Sequence, residues 1–228
     1  MRVHTVFFDF GRTLVDVPYS ASEIWLEIMN EAGLKVDPGL LKRALEAADS
    51  TFLPQVYDYK GKMPKFWILY DAFVIDKLGL SDPEGKLAGT VEKRFQEPKW
   101  FHLYPETREV LESLKSDGYN MGLISGNTDD LLRQLDQLDL AKYFTTVTYS
   151  QEARAEKPNP AIYRLALKRA GCRPDGAVHV GDWYEGDVIG ARGVGITPIL
   201  IDRENKRPET NCLRITDLRQ LKDVMTDL

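Results

Sequence analysis

The apolar run Val6-Phe7-Phe8 ends on Asp9, and Gly11 stands two residues further on. A short run with no polar interruption suits a strand buried on both faces. A glycine just past the acid permits a tight turn, so Asp9 is expected at the carboxyl end of a buried strand. In open α/β sheets that edge is where ligands bind. The same pattern also suits an ordinary strand end closed by an Asx-type turn, and only residues further along can decide between the two.

From Tyr104 onward the chain alternates. A helix after Pro105 carries Val110, Leu111 and Leu114, and Met121 to Ile124 read as a strand. Leu131, Leu132, Leu135 and Leu138 mark a helix, and Thr146 to Tyr149 a strand. Ile162 to Ala170 read as a helix, Ala177 to Val180 as a strand, and Ile199 to Ile201 as a closing strand. Such alternation predicts an α/β fold with a Rossmann-like, mostly parallel sheet and helices on both faces.

Between Leu14 and Tyr104 the pattern is helical throughout. Ser20 with Glu23 forms a capping box ahead of Ile24, Trp25, Ile28, Met29 and Ala32, with Gly33 as a stop. Asp37-Pro38 starts a second helix with Leu41, Ala44, Leu45 and Ala48 in phase. A third runs from about Pro64 to Gly79 through Phe66, Leu69, Tyr70, Phe73, Val74 and Leu78. Asp82-Pro83 opens a fourth with Leu87, Val91 and Phe95. These helices predict a small bundle over 18–99, inserted between the first strand and the rest of an α/β domain made of 1–17 and 100–228.

Composition narrows the function. A chain of 228 residues, 43% hydrophobic and 29% charged, builds a sizeable core under a solvated surface. A net charge of −5 argues against a dedicated nucleic-acid or anionic-membrane binder. The N-terminal stretch, with Arg2 and His4 before a strand-length run, reads as neither a signal peptide nor a membrane span. Cys172 and Cys212 have no metal-type spacing and predict no disulfide framework, which fits a reducing cytoplasm.

Polar residues recur where strands end. Ser125-Gly126-Asn127-Thr128 follows Met121 to Ile124 and opens the next helix. A hydroxyl and free backbone N–H groups there bind anions, although the same residues make an ordinary N-cap cluster. In Glu156-Lys157-Pro158-Asn159-Pro160 the prolines stiffen a loop carrying Lys157, and a lone lysine in such a place is ordinarily solvated. Gly181-Asp182-Trp183-Tyr184-Glu185-Gly186-Asp187 follows Val178-His179-Val180. Its two acids suit a hard cation, and each alone also suits a cap or a turn.

In this order the four stretches resemble the motifs of the haloacid dehalogenase-like hydrolase superfamily, mostly phosphatases and phosphotransferases. Gly190-Ala191-Arg192-Gly193-Val194-Gly195 continues the last motif in the family's manner. The resemblance covers the α/β part at both ends of the chain. The helical insertion resembles the family's cap and carries no matching motif of its own. The resemblance implies that Asp9 is the nucleophile, taking the phosphoryl group as an aspartyl phosphate. Ser125 and the Gly126 amide, with Thr13 and Asn127 beside them, would bind phosphate oxygens. Lys157 would neutralise the phosphate and hold Asp9 ionised. Asp9, the Gly11 carbonyl and Asp182 would hold Mg²⁺, with Asp187 behind them or acting through water. A carboxylate approaching a phosphate is a meeting of like charges, which a cation and a lysine offset.

One departure stands out. The family's phosphatases usually carry a second aspartate two residues after the nucleophile, as general acid and then base. Gly11 occupies that place, and Arg12 stands where the family usually has glycine. A general acid is worth about 10²–10⁴-fold, and the Arg12 guanidinium is too basic to replace it. Arg12 either contacts an anionic group of the substrate or faces solvent.

Four functions fit these residues. The first is a Mg²⁺-dependent phosphatase of a small phosphorylated metabolite, acting as monomer or homodimer. The second is C–halogen hydrolysis, against which Asp182 and Asp187 argue because it needs no metal, or C–P hydrolysis, which in the family uses a cap lysine as Schiff base and for which Lys60, Lys62 and Lys65 are available. The third is a phosphate-binding regulatory module, and the fourth a structural partner protein. Trp25, Tyr57, Tyr59, Trp67 and Tyr70 either line a pocket or, as is usual at helical spacing, fill a core.

Overall fold

The structure is a computed structural model describing residues 3–59, 62–127, 130–207, 209–226 and 228, with the side chains of 56–58, 63, 98 and 130 outside that description. The chain divides into two compact units, one of Met1–Asp16 with His102–Leu228 and one of Val17–Phe101.

The second unit is helical. Its α1 (Ala21–Glu31) opens with a capping box in which the Glu23 N–H donates to Ser20 Oγ and the Ser20 N–H to Glu23 Oε2. α2 (Pro38–Phe52) is capped by Asp37, which accepts from the Leu40 N–H at 2.7 Å. α3 (Met63–Lys77) follows, then α4 (Lys86–Phe95). α4 begins later than Asp82-Pro83 suggests. Asp82 still caps it, but across a turn that ends on Gly85 at φ 66°, with its carboxylate accepting from the Leu87 and Ala88 N–H groups. Trp25, Ile28, Leu41, Ala48, Val74 and Val91 build one apolar core. Burying each large side chain is worth about 1.5–3 kcal/mol. Ala32 and Leu69, expected on that core, are exposed. Trp25 and Tyr70 are core residues, and Trp67 packs against them partly buried. Lys62 and Lys65 are exposed. Lys60 and the Tyr57 side chain lie outside the described residues.

The first unit is an α/β layer. Its strands are β1 (Thr5–Phe8), β2 (Val15–Asp16), β3 (His102–Leu103), β4 (Asn120–Ser125), β5 (Thr146–Tyr149), β6 (Ala177–Gly181), β7 (Thr197–Ile201) and β8 (Leu213–Ile215). Its helices are α5 (Thr107–Ser116), α6 (Asp130–Gln137), α7 (Ser150–Ala153), α8 (Pro160–Ala170), α9 (Gly190–Arg192) and α10 (Leu221–Thr226). Six strands form one sheet in the order β5-β4-β1-β6-β7-β8, and each neighbouring pair is parallel. β2 and β3 form a small antiparallel pair. This pair and β8 are too short to give a periodic pattern and were not foreseen from sequence. Leu132, expected on the buried face of α6, is 44% exposed, whereas Leu131 and Leu135 are buried. β1 lies central, and Val6, Phe7 and Phe8 are fully buried, as an uninterrupted apolar strand in a parallel sheet should be. Among the described residues no helix is long and apolar enough to cross a membrane.

Candidate active site

The parallel register brings three strand ends side by side. Phe8 lies opposite Leu123 on one side and Val180 on the other. Asp9 just after β1, Ser125 at the end of β4 and Asp182 just after β6 therefore share the carboxyl edge of the sheet. The Asp9 N–H continues the ladder by donating to the Val180 carbonyl at 2.8 Å. Beyond Asp9 the chain folds back in a tight loop. The Leu14 and Val15 N–H groups donate to the Phe10 carbonyl, and the Arg12 N–H donates to the Val15 carbonyl at 2.7 Å. Thr13 is buried, with Oγ1 a long 3.5 Å from Asp9 Oδ2.

Lys157 is not the solvated charge that its loop suggests. It is 4% exposed, and its Nζ lies 2.7 Å from Asp9 Oδ1 and 2.6 Å from Asp187 Oδ1. Burial disfavours the ammonium ion, but the charges of Asp187 and Asp9 outweigh it and hold its pKa above the ordinary lysine value. The two acids divide unequally. Burial pushes Asp187 up, but the Lys157 charge and a hydrogen bond from His179 outweigh it and hold this carboxyl well below the usual range. Asp9 lies above the usual range, chiefly through burial, with Lys157 opposing and the Asp187 charge adding to the rise.

Asp187 sits in a π-helical turn, Tyr184–Ile189, of the kind often found at functional sites. Both its oxygens are engaged: Oδ1 by Lys157 and by His179 Nε2 at 3.0 Å, Oδ2 by the Trp183 N–H at 3.0 Å. Its side chain packs where a Cβ on Gly181 would stand, so that position needs glycine. His179 is fully buried, and its Nδ1 finds no partner among the described residues. With one ring nitrogen facing a carboxylate and the other facing none, the tautomer protonated at Nε2 fits best. The sequence signal for His179 is a single polar residue inside the apolar strand Ala177 to Val180.

Asp182 is the free acid of the site. No hydrogen bond or ion pair from a described residue reaches its carboxylate, and one oxygen each from Asp9, Asp182 and Asp187 lie within 4.8 Å of one another. Burial first, then the Asp9 and Asp187 charges, push its pKa up to about 7, with Lys157 and Arg12 opposing. Three converging carboxylates, one of them without a partner, are a hard-oxygen set that fits a divalent cation.

Ser125 is buried, and its hydroxyl has no partner among the described residues. Gly126 is exposed; a Cβ there would touch Glu156 Oε2, whose carboxylate accepts from Ser150 Oγ. The Asn127 carbonyl accepts from the Gln151 N–H, and Thr128 lies outside the described residues. The structure adds a clamp that the sequence does not reveal. Arg203, just past β7, donates to the Thr13 carbonyl at 2.7 Å, to the Arg12 carbonyl at 3.3 Å and to Glu106 Oε1 at 2.7 Å. Its guanidinium also stacks 3.4 Å from the centroid of the Tyr104 ring. Planar, multiply bonded recognition of this kind is what arginine does and lysine does not.

The family model described as haloacid dehalogenase-like hydrolase matches residues 6–201. The chain is similar to the haloacid dehalogenase-like hydrolase domain-containing protein 3 of Danio rerio, at 29% identity over 89% of this chain and 86% of that protein. It is equally similar to the glyceraldehyde 3-phosphate phosphatase of Methanopyrus kandleri, at 29% identity over 99% of this chain and 98% of that protein. Among solved structures, a 2-haloacid dehalogenase from Pseudomonas syringae pv. Tomato matches with a TM-score of 0.77 at 24% identity, covering 99% of each chain. At that identity the likeness bears on the fold alone.

Proposed function

Since the chain belongs to the haloacid dehalogenase-like hydrolase family, we propose that it is a magnesium-dependent phosphatase of a small phosphorylated metabolite, with Asp9 as nucleophile. The observation that carries this reading is the charge arrangement at the sheet edge. One buried lysine is shared by Asp9 and Asp187, and an acid without a partner, Asp182, converges on the same place. Halide displacement needs no such cation site, whereas an arriving phosphate needs its charge offset. The similarity to a relative named as a phosphatase points the same way.

In this reading Mg²⁺, held by Asp9, Asp182 and the Gly11 carbonyl, supplies charge neutralisation of the phosphate and the developing transition state. Lys157 contributes a second, fixed positive charge. Asp187 and His179 hold Lys157 in place. Ser125 Oγ and the Gly126 amide donate to the phosphate oxygens, with Thr13 and Asn127 beside them. An Asp9 oxygen attacks phosphorus, the bond to the leaving oxygen breaks, and water later releases phosphate from Asp9. Gly11 offers no proton, so the site suits leaving groups that depart as anions. The helical unit is assigned the substrate-selecting role of a cap, and the unpaired cysteines fit a reducing cytoplasm.

A magnesium-supplemented screen of phosphate esters with graded leaving-group pKa tests this reading. Turnover is expected from the native protein and none from Asp9→Asn, which keeps the shape and loses the nucleophile. Retained turnover in Asp9→Asn would remove Asp9 from that role.

A further inference from the structure

Arg12 holds a backbone conformation that side-chain-bearing residues avoid, at φ 55°. Such residues persist where the surroundings fix them, and they cluster at functional sites. Here the surroundings fix it from both sides. The Arg12 N–H is bound to the Val15 carbonyl, and the Arg12 carbonyl accepts from Arg203. Arg203 is in turn anchored on the buried Glu106 and stacked on Tyr104. A glycine would occupy this position without strain.

The side chain that accompanies this strain is exposed, and no carboxylate among the described residues pairs with it. It stands three residues beyond Asp9, in the loop that folds back at the carboxyl edge of the sheet. The neighbouring Gly11 leaves the intervening space open, with nothing within 4 Å of where its Cβ would be. Lys157 is engaged deep in the site by two carboxylates. In the loop from Phe10 to Leu14, Arg12 is the charged side chain.

We propose that Arg12 is a specificity-determining residue that selects substrates whose leaving group carries a second anion, a carboxylate or a further phosphate, close to the ester oxygen. This rests on the phosphatase reading above. A guanidinium recognises such a group by paired, charge-assisted hydrogen bonds. As the P–O bond breaks, the leaving oxygen keeps the electron pair and takes its proton from water. The same guanidinium lowers the cost of the negative charge that gathers there.

The test is a leaving-group charge series assayed with magnesium: phosphoglycolate (anionic), 2-hydroxyethyl phosphate (neutral) and phosphocholine (cationic). The native protein should rank them in that order by kcat/KM. In Arg12→Gly the anionic-to-neutral ratio should fall about tenfold, the worth of one partly solvated charge-assisted pair, while Arg12→Lys should keep part of it. Arg12→Gly also relieves the strained backbone, so its melting temperature should equal or exceed that of the native protein. A ratio that is the same within about twofold in native and Arg12→Gly protein would overturn this inference alone. A native protein that turns over esters of the graded leaving-group screen but none of these three, or the neutral ester as fast as the anionic one, would overturn this inference alone; one that turns over no phosphate ester at all would overturn the phosphatase reading and this inference with it.

Discussion

Replacing Lys157 with methionine removes one charge and keeps an unbranched stem of similar length. Asp9 and Asp187, which now share that charge at 2.7 and 2.6 Å, are only 7% and 1% exposed. Breaking a buried pair by removing one partner costs about 3–5 kcal/mol, because the remaining charge is left uncompensated. At about 2–4 °C per kcal/mol for a chain of this size, the melting temperature should drop by about 6–20 °C.

The pH dependence gives the sharper test. In the native protein Asp187 is held well below its ordinary pKa. Its contribution is therefore present above the unfolded value of about 3.9 and is lost as pH falls through the native one. Without the lysine, burial is expected to push both carboxyls upward. The folded variant then holds protons that the unfolded chain has released, so its stability is greatest below about pH 4 and falls as pH rises. The gap between native and variant should widen between about pH 5 and about pH 8. Thermal unfolding followed by circular dichroism in metal-free buffer reads it directly. Melting temperatures within about 2 °C of each other at the higher pH, or a gap that does not change with pH, would refute the shared-lysine account.

Asp182→Asn should weaken Mg²⁺ binding at least about tenfold, since second-sphere changes alone can cost that much; equal affinities by calorimetry would count against Asp182 as a ligand. At Gly11 a Cβ would meet nothing within 4 Å beyond its chain neighbours, and Gly11→Asp should raise alkyl-ester rates by up to about 10²-fold, the lower end for an added general acid. Log kcat/KM should then depend less steeply on leaving-group pKa; a native slope that is already shallow would mean another group donates the proton. Asp71, in the helical unit, is 5% exposed, and burial with the nearby Glu92 charge pushes its pKa up to about 8. Its folded state is favoured most below about pH 4, and that advantage is lost as pH rises toward the folded value, so Asp71→Asn should stabilise the protein near pH 8 by on the order of a few kcal/mol and little near pH 4. Urea unfolding at the two pH values checks this, and an equal effect at both would sink it.

How much of this was legible in the sequence depended on where each signal originates. The alternation after Tyr104 predicted strands that the structure contains as β4, β5, β6 and β7, because buried parallel strands are written as local apolar runs. The capping box at Ser20 and the Asp37 cap were likewise local and visible. β8 and the β2–β3 pair were not. They are two or three residues long and held by neighbours distant in sequence. Ala32, Leu69 and Leu132 fell off the cores for a related reason: they are in phase with the apolar stripe, but helix periodicity does not say how far around the helix a neighbour reaches.

The site divides along the same line. A parallel sheet carries the ends of adjacent strands to one edge, so a rule as local as an acid or a serine directly after an apolar run locates Asp9, Ser125 and Asp182 there. Nothing comparable announces that Lys157 is buried, since its partners lie 148 and 30 residues away in the chain. Arg203 is more hidden still: it reaches backbone carbonyls 191 and 190 residues away, and carbonyls leave no trace in the residue types of the loop they belong to. Arg12 lies between these cases. In the sequence it stands out only as a side chain where the family usually has glycine, and its meaning depends on the two bonds that hold the backbone in that conformation. A loop held from outside can keep an expensive residue in place, and that is a reason to look for function in the side chain rather than in the turn.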